Sequence, residues 1–303
     1  MMLLEQTTGA TPREPRTPIH FERAALRDGA LVFTTPGGLD KALGEGGFFL
    51  EIPHDLDLAP AIRLSREFYR ERGADSESNT YRGFRGREGV YFDREHFQTE
   101  HVLVDRPARV TNFPPALVAT CDAMNDVALA LLRNVLTHLR IPSELWHKVT
   151  GGAVDNRGTH WFASSHYRPE RDQMGCAPHK DTGFMTVLYI DQEGLEASLG
   201  GEWVSIDPVP GHLVINFGAS LEILTRLTSC PVRAILHRVR QTSTDPSREE
   251  RFSFAAFVNP PATGWLYECH HDQTAKPYQS VEQFLAEFNA KTWNDRHDDF
   301  GIK

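Results

Sequence analysis

Cysteine is scarce in this sequence, and its distribution excludes two ways of stabilising a fold. The 303 residues contain four cysteines, and no two of them have C-x-x-C spacing. A structural zinc site prefers four closed ligands that include thiolates, and a disulfide framework is typical of small secreted chains. We therefore expect a reduced, cytoplasmic protein. The four residues are Cys121, Cys176, Cys230 and Cys269.

Basic residues and long apolar runs are also in short supply. Lysine and arginine total 32 against 41 aspartates and glutamates, so the formal net charge is −9. A negative chain is a poor partner for nucleic acid or for an anionic membrane surface. No run approaches the ~18 apolar residues of a transmembrane helix, and the first residues lack the basic region and apolar core of a signal peptide. We expect no nucleic-acid, membrane or obligate protein partner.

One dense stretch, residues 176–260, carries the residues that point to chemistry. His179 and Asp181 form H-x-D, and His237 follows in the apolar run AILHRV. Residues two apart in a β-strand point to the same face, so His179 and Asp181 can bind one ion from one strand end. Two imidazoles and one carboxylate are the ligand set of non-haem Fe(II) oxygenases, which leaves positions open on the metal. H-x-D alone is a weak signal among fourteen histidines, but the order and spacing of the three strengthen it.

A second pattern with the same two-residue period follows the histidines. Arg251 and Ser253 form R-x-S in the run RFSFAAFV, and they share one face of the predicted strand. A guanidinium binds a carboxylate through two parallel hydrogen bonds. A dicarboxylate co-substrate that held the metal by one end would therefore meet Arg251 and Ser253 at the other.

Longer motifs surround these residues: P-H-x-D-x-G, W-V-x-I-x-P-V-P-G, H-L-V-I-N-F-G, L-H-R-V and E-R-F-S-F-A-x-F-x-N-P. They closely resemble those of the iron(II)/2-oxoglutarate-dependent oxygenases of the isopenicillin N synthase-like group. The resemblance implies a mainly β fold with flanking helices, a double-stranded β-helix (jelly roll) with the metal inside one open end. It also implies Fe(2+) as metal, 2-oxoglutarate as co-substrate and O2 as reactant.

The resemblance also suggests a further contact to 2-oxoglutarate near residue 167. Tyr167 is the tyrosine of S-H-Y-R-P, where the group often has N-Y-Y-P-P. We expect its hydroxyl to donate to a carboxylate of 2-oxoglutarate. The difference leaves the register open by one residue, and His166 either lines the pocket or packs outward.

The chain is predicted to form one oxygenase domain, residues 18–303, after a loose arm at 1–17 that is rich in Thr, Pro and Arg. Within the domain we expect a helical N-terminal part at about 18–157, the jelly roll at about 158–260, and a C-terminal helix and tail at 261–303. Local patterns predict strands at 29–35 and 46–53, helices at 58–73 and 114–139, an irregular loop at 75–107, and a helix capped by Ser280 and Gln283.

The substrate is predicted from two features. Arg82 lies in the irregular loop, and an arginine near the mouth of the barrel would suit a substrate carboxylate. Phe257 has the strand parity of Arg251 and should face the interior, where its counterpart in the group often touches substrate. The alternatives are a solvated loop arginine and a core phenylalanine. We therefore expect a small carboxylated metabolite of specialised or antibiotic metabolism.

Three functions remain open on these residues. The first is a 2-oxoglutarate-dependent dioxygenase that hydroxylates, desaturates or cyclises its substrate. The second is an Fe(II) oxidase of the same fold that needs no 2-oxoglutarate, since such relatives also carry R-x-S. The third is a non-catalytic barrel that only binds a ligand. Release of succinate separates the first from the second, and iron binding separates both from the third.

Overall fold

A computed structural model describes residues 18–73, 79–242, 245 and 249–293; the arm predicted at 1–17 lies outside them. The strands among these residues are β1 (Arg23–Arg27), β2 (Ala30–Phe33), β3 (Gly47–Glu51), β4 (Tyr91–Asp93), β5 (Thr99–Asp105), β6 (Trp161–Tyr167), β7 (Cys176–His179), β8 (Met185–Ile190), β9 (Leu195–Leu199), β10 (Glu202–Ser205), β11 (His212–Phe217), β12 (His237–Val239), β13 (Arg251–Val258), β14 (Trp265–Cys269) and β15 (Ala275–Ser280). The α-helices are α1 (Gly38–Glu45), α2 (Ala59–Glu67), α3 (Arg106–Asn112), α4 (Pro115–His138), α5 (Ser143–Val149), α6 (Ala219–Thr225) and α7 (Val281–Trp293).

Two facing sheets form the centre of the molecule. The larger sheet has the strand order β2-β1-β3-β11-β8-β13-β6-β5-β4, and the smaller one has the order β10-β9-β12-β7. An apolar cluster lies between them and joins residues of both sheets, including Ile190 and Val214 of the large sheet and Leu195 and Val239 of the small one. This arrangement is the predicted jelly roll with flanking helices.

The outer face of the large sheet is covered by helices. α4 contributes a buried stripe that includes Leu117, Met124 and Leu132, and it packs against β8 and β13. Its length and composition would allow it to cross a membrane, yet more than half of its most apolar window is buried in the protein. Such burial is what a core helix requires.

Most of the predicted elements are present, with one clear error. The strands at 29–35 and 46–53 and the helices at 58–73 and 114–139 correspond to β2, β3, α2 and α4. The predicted loop at 75–107 is wrong in its second half, because β4 and β5 lie there and join the large sheet. The part predicted as helical therefore also supplies the strands β1 to β5, and the tail after 260 contains the β14–β15 hairpin.

The C-terminal helix begins as its sequence predicts. The backbone N–H of Gln283 donates to Ser280 Oγ at 3.2 Å, so the hydroxyl caps the first turn of α7. The Gln283 side chain donates to Glu287 Oε1 at 2.9 Å. Ser280 therefore caps the helix as predicted, but the Gln283 side chain bonds to Glu287 and does not complete the capping box.

A buried carboxylate fixes β5 to its surroundings on the outer face of the sheet. Glu100 accepts hydrogen bonds from His166 Nδ1 at 2.9 Å, Tyr91 Oη at 2.5 Å and Arg85 Nε at 2.9 Å. Burial alone would raise the pKa of the Glu100 carboxyl, but these hydrogen bonds outweigh it and lower the pKa to about 2. The ionised form of Glu100 therefore stabilises the folded state.

We expect Glu100→Gln to lower the free energy of unfolding at pH 7 by roughly 2–3 kcal/mol, at about 1.4 kcal/mol per unit of pKa depression. Because the folded pKa is lower than the unfolded one, this stabilisation is complete above the unfolded pKa of about 4.3 and is lost as pH falls towards 2. Urea unfolding of both proteins between pH 7 and pH 3 measures the difference. Glu51→Gln, which removes an exposed partner of Arg27, should cost less than about 1 kcal/mol. A wild-type advantage that stays constant below pH 4.3 contradicts this account.

Candidate active site

Three side chains that can bind a metal lie close together at one end of strands β7 and β12 of the small sheet. His179 ends β7 and His237 begins β12, and these two residues are direct partners in the antiparallel pair. Asp181 follows two residues after His179, and its Oδ1 lies 3.7 Å from Nε2 of each histidine. One ligand atom from each of the three lies within 4.8 Å of the others. The structure therefore brings together the predicted metal ligands.

Backbone carbonyls fix the orientation of both imidazoles. His179 Nδ1 lies 2.8 Å from the carbonyl of Ala177, and His237 Nδ1 lies 3.2 Å from that of Ile235. A carbonyl oxygen only accepts, so each Nδ1 carries the proton and each Nε2 presents its lone pair towards Asp181. This is the usual outer contact of metal-binding histidines.

Two polar side chains beside Asp181 were not singled out in the sequence. Thr186 of β8 donates its hydroxyl to Asp181 Oδ2 at 2.6 Å, which leaves Oδ1 for the metal. Asn216 is the cross-strand partner of Thr186 on β11, and its buried side chain has no hydrogen-bond partner among the described residues. Both interrupt apolar runs at inward-facing positions, which is the signal that could have found them.

The predicted carboxylate-binding residues also come together on the large sheet. Arg251 is paired with Tyr167, and Ser253 with Ser165. The Arg251 guanidinium lies 4.3 Å from the centre of the Tyr167 ring, and the Tyr167 and Ser253 hydroxyl oxygens are 3.4 Å apart. The register left open in the sequence is therefore resolved: Tyr167 faces inward, and His166 faces the Glu100 cluster on the other side.

Arg251 is held so that part of its fork stays available. Its Nε donates to the carbonyl of Glu193 at 3.0 Å, while its buried Nη1 has no hydrogen-bond partner among the described residues. Gly194, at φ +123°, lies against this side chain, and a Cβ there would stand 3.2 Å from Arg251 Nε. Glycine at 194 thus permits the close approach, a requirement that the sequence alone did not reveal.

The three predicted metal ligands and the Arg251, Ser253 and Tyr167 group line one cavity of about 230 Å³. Its wall on the large sheet follows the strand parity, so Arg251, Ser253, Ala255 and Phe257 of β13 all line it. The apolar side of α7 closes one part of the wall with Phe284, Leu285 and Phe288. The predicted inward position of Phe257 is therefore observed.

Similarity to known proteins agrees with this site. The sequence profile of the 2OG-Fe(II) oxygenase superfamily matches residues 158–260. That range includes the metal ligands and the carboxylate-binding group. Residues 158–260 therefore carry the sequence pattern of the 2OG-Fe(II) oxygenase superfamily.

Individual proteins similar to this chain include members of the same superfamily. The chain is 27% identical over 237 residues to jasmonate-induced oxygenase 2 of Arabidopsis thaliana, covering 71% of this chain and 62% of the relative. It is 32% identical over 149 residues to the 2-oxoglutarate-dependent dioxygenase iboH of Amanita muscaria, covering 46% and 63%. These alignments span less than two thirds of either relative. A structure of JOX2 in complex with 2OG, Fe, and JA shares the fold, with a TM-score of 0.59 and 18% identity over 91% of this chain and 87% of that one.

The residues of this site fit the cofactors of the 2OG-Fe(II) oxygenase superfamily. The two Nε2 atoms and the Asp181 carboxylate supply two neutral ligands and one anionic ligand, as non-haem Fe(II) requires. The buried Arg251 Nη1 offers a hydrogen-bond donor in the same cavity, as a dicarboxylate co-substrate requires. Fe(2+) and 2-oxoglutarate are therefore compatible with the site.

One predicted site residue has to be corrected. Arg82 does not belong to the residues that line the cavity; its Nε donates to Glu67 Oε2 at 2.6 Å. The neighbouring Arg85 is paired with the buried Glu100. Both arginines are neutralised by acids on elements distant in sequence, so Arg82 is not placed to bind substrate.

Proposed function

We propose that this protein is a non-haem Fe(II)- and 2-oxoglutarate-dependent dioxygenase that oxidises a small carboxylated metabolite in specialised or antibiotic metabolism. The observation that carries the proposal is the shared cavity of the His179–Asp181–His237 ligands and Arg251. A metal and a dicarboxylate can be held there at the same time.

Different side chains of the cavity bind the metal, bind the co-substrate and exclude water. His179, Asp181 and His237 bind Fe(II) and leave positions open for small molecules. Arg251 and Ser253 bind the distal carboxylate of 2-oxoglutarate, with Tyr167 stacked beneath the guanidinium. Fe(II), when bound, supplies the activation of O2 that oxidation of an unreactive C–H bond needs. Apolar walls around these groups limit the access of water, which strengthens the ionic contacts.

The rest of the cavity suits a small organic substrate. Trp161 and Leu103 line it from β6 and β5, Phe257 from β13, and Phe284 from α7. Such surfaces bind the apolar body of a substrate and hold it beside the metal ligands. Hydroxylation, desaturation and ring closure all begin with removal of one substrate hydrogen, so they are all compatible with this arrangement.

Anaerobic addition of Fe(II) and 2-oxoglutarate tests the proposal. We expect a visible metal-to-ligand charge-transfer band that needs both components, followed on exposure to O2 by release of succinate. A protein that binds iron and consumes O2 without forming succinate would be the 2-oxoglutarate-independent oxidase. A protein that binds no iron would be a ligand-binding barrel.

A further inference from the structure

A buried arginine in the hairpin between β4 and β5 lines the same cavity as the metal ligands. We propose that Arg94 binds the carboxylate of the substrate, an inference that rests on the proposed function and assigns its specificity. Arg94 is 3% exposed and belongs to the cavity wall. It takes the role that the sequence had suggested for Arg82.

The sheet register separates Arg94 from the 2-oxoglutarate site. Arg251 is paired with Tyr167, and Tyr167 is paired with Thr99 of β5. The backbone N–H of Arg94 donates to the carbonyl of Thr99 at 3.3 Å. The backbones of Arg94 and Arg251 thus lie in one row across the sheet, separated by three strand spacings or on the order of 14 Å. Because the two side chains leave the sheet from backbones this far apart, we assign a separate anion to each.

The same hairpin places Arg94 within reach of the metal site. The residues at the end of the hairpin contact the segment before β7. The backbone N–H of Gln98 donates to the carbonyl of Met174 at 2.9 Å, and that of Thr99 donates to the carbonyl of Gly175 at 3.1 Å. β7 then runs from Cys176 to His179, which corresponds to roughly 10 Å of strand. A substrate carboxylate at Arg94 and the part of the substrate that is oxidised would therefore lie at opposite ends of this short strand.

His101 and Phe92 orient the Arg94 guanidinium. Arg94 Nη2 donates to His101 Nε2 at 3.2 Å, so Nε2 accepts and the imidazole proton is on Nδ1. The guanidinium carbon lies 5.7 Å from the centre of the Phe92 ring, and the Phe92 and His101 rings are 5.6 Å apart. β4 and β5 pair these two residues directly. The fork is therefore held by a rigid hairpin, as carboxylate recognition requires.

The surroundings of Arg94 favour an anionic ligand with an apolar body. Burial lowers the pKa of the Arg94 guanidinium to about 10, so the group is still charged at neutral pH but has lost hydration. A carboxylate restores that interaction through charge-assisted hydrogen bonds. Side chains that line the cavity from β6, β13 and α7, such as Trp161, Phe257 and Phe284, are apolar. The substrate class is thus a small monocarboxylic acid with an apolar remainder.

The experiment compares acids with amides of the same shape. Phenylacetate, 3-phenylpropanoate and 4-phenylbutanoate are titrated by calorimetry into the full chain, anaerobically with Fe(II) and excess 2-oxoglutarate so that Arg251 is occupied. Their neutral amides serve as controls. We expect the wild-type protein to prefer at least one acid over its amide by roughly 10- to 100-fold. Arg94→Gln should remove this preference, and Arg94→Lys should keep part of it.

A matched control and the charge-transfer band make the outcomes separable. Arg82→Gln changes an arginine outside the cavity and should keep the wild-type preference. If no acid is preferred by the wild-type protein, or if Arg94→Gln keeps the preference, the assignment of Arg94 is wrong. If Arg94→Gln does not fold, Arg94→Lys decides: an undiminished acid preference in that variant would show that the guanidinium of Arg94 does not bind the acid. If the wild-type protein shows no charge-transfer band with Fe(II) and 2-oxoglutarate but still prefers an acid over its amide, the proposed function is wrong. Arg94 would then remain an acid-binding residue.

Discussion

His237→Ala is expected to bind no stoichiometric iron and to have no activity. The structure brings together three metal-binding side chains, and removal of one leaves His179 and Asp181 on a single short segment. Loss of an outer contact to a metal ligand already costs 10- to 100-fold in affinity, so loss of a ligand should cost more than about 100-fold. The fold should persist, because the sheets are held by the apolar cluster between them and not by the metal.

Metal analysis after anaerobic dialysis against Fe(II) measures this effect, and a thermal melt checks the fold. His212→Ala is the matched control: His212 begins β11, and its Nδ1 contacts the carbonyl of Pro210, away from the three ligands. It should retain one iron per chain. One iron bound by His237→Ala would show that the ligand set is wrong.

The metal ligands could be predicted from the sequence because their signal is local. H-x-D needs only the two-residue period of a strand end, and the motifs around His237 mark the second segment. The direct pairing of His237 with His179 was not predictable in the same way. Strand order in the small sheet depends on contacts between residues far apart in the chain, and no periodicity encodes it.

The hairpin that carries Arg94 shows why the second half of the 75–107 segment was missed. β5 reads TEHVLVD, in which Glu100 stands at a position facing the outer core. A buried acid breaks the apolar alternation that signals a strand. Glu100 is tolerated there only because Arg85, Tyr91 and His166 bind it, and these partners come from three other segments.

The sequence pointed to Arg82 and not to Arg94 as the substrate-binding arginine for the same reason: contacts between different segments decide which arginine faces the cavity. Both lie in one arginine-rich segment with similar neighbours, so composition does not distinguish the half-buried Arg82 from the buried Arg94. Arg82 is neutralised by Glu67 at the end of α2, whereas the β4–β5 turn directs Arg94 into the cavity. Only the tertiary arrangement assigns the acids to their arginines.

Arg251→Ala is expected to weaken 2-oxoglutarate binding by roughly 10- to 100-fold, which corresponds to about 1.5–3 kcal/mol for a charge-assisted hydrogen bond. The effect should lie at the upper end, because Arg251 is buried and the co-substrate carboxylate would be left without its partner in the cavity. Arg251→Lys should restore only part of the affinity, since an ammonium does not reproduce the planar fork. Titration of the charge-transfer band with 2-oxoglutarate measures the affinity.

Two comparisons separate a specific loss at the co-substrate site from general damage. Arg240→Ala removes a nearby arginine whose partner is the exposed Glu193 carboxylate, and it should leave 2-oxoglutarate affinity within about twofold, as surface ion pairs contribute little. Iron binding by Arg251→Ala should equal that of the wild-type protein, because the metal ligands stand on other segments of the chain. If Arg251→Ala retains both the wild-type affinity and the release of succinate, another residue anchors the distal carboxylate. If neither the wild-type protein nor Arg251→Ala needs 2-oxoglutarate for activity, the protein is an oxidase that does not use this co-substrate. The buried Arg251 guanidinium then binds a carboxylate of the substrate itself.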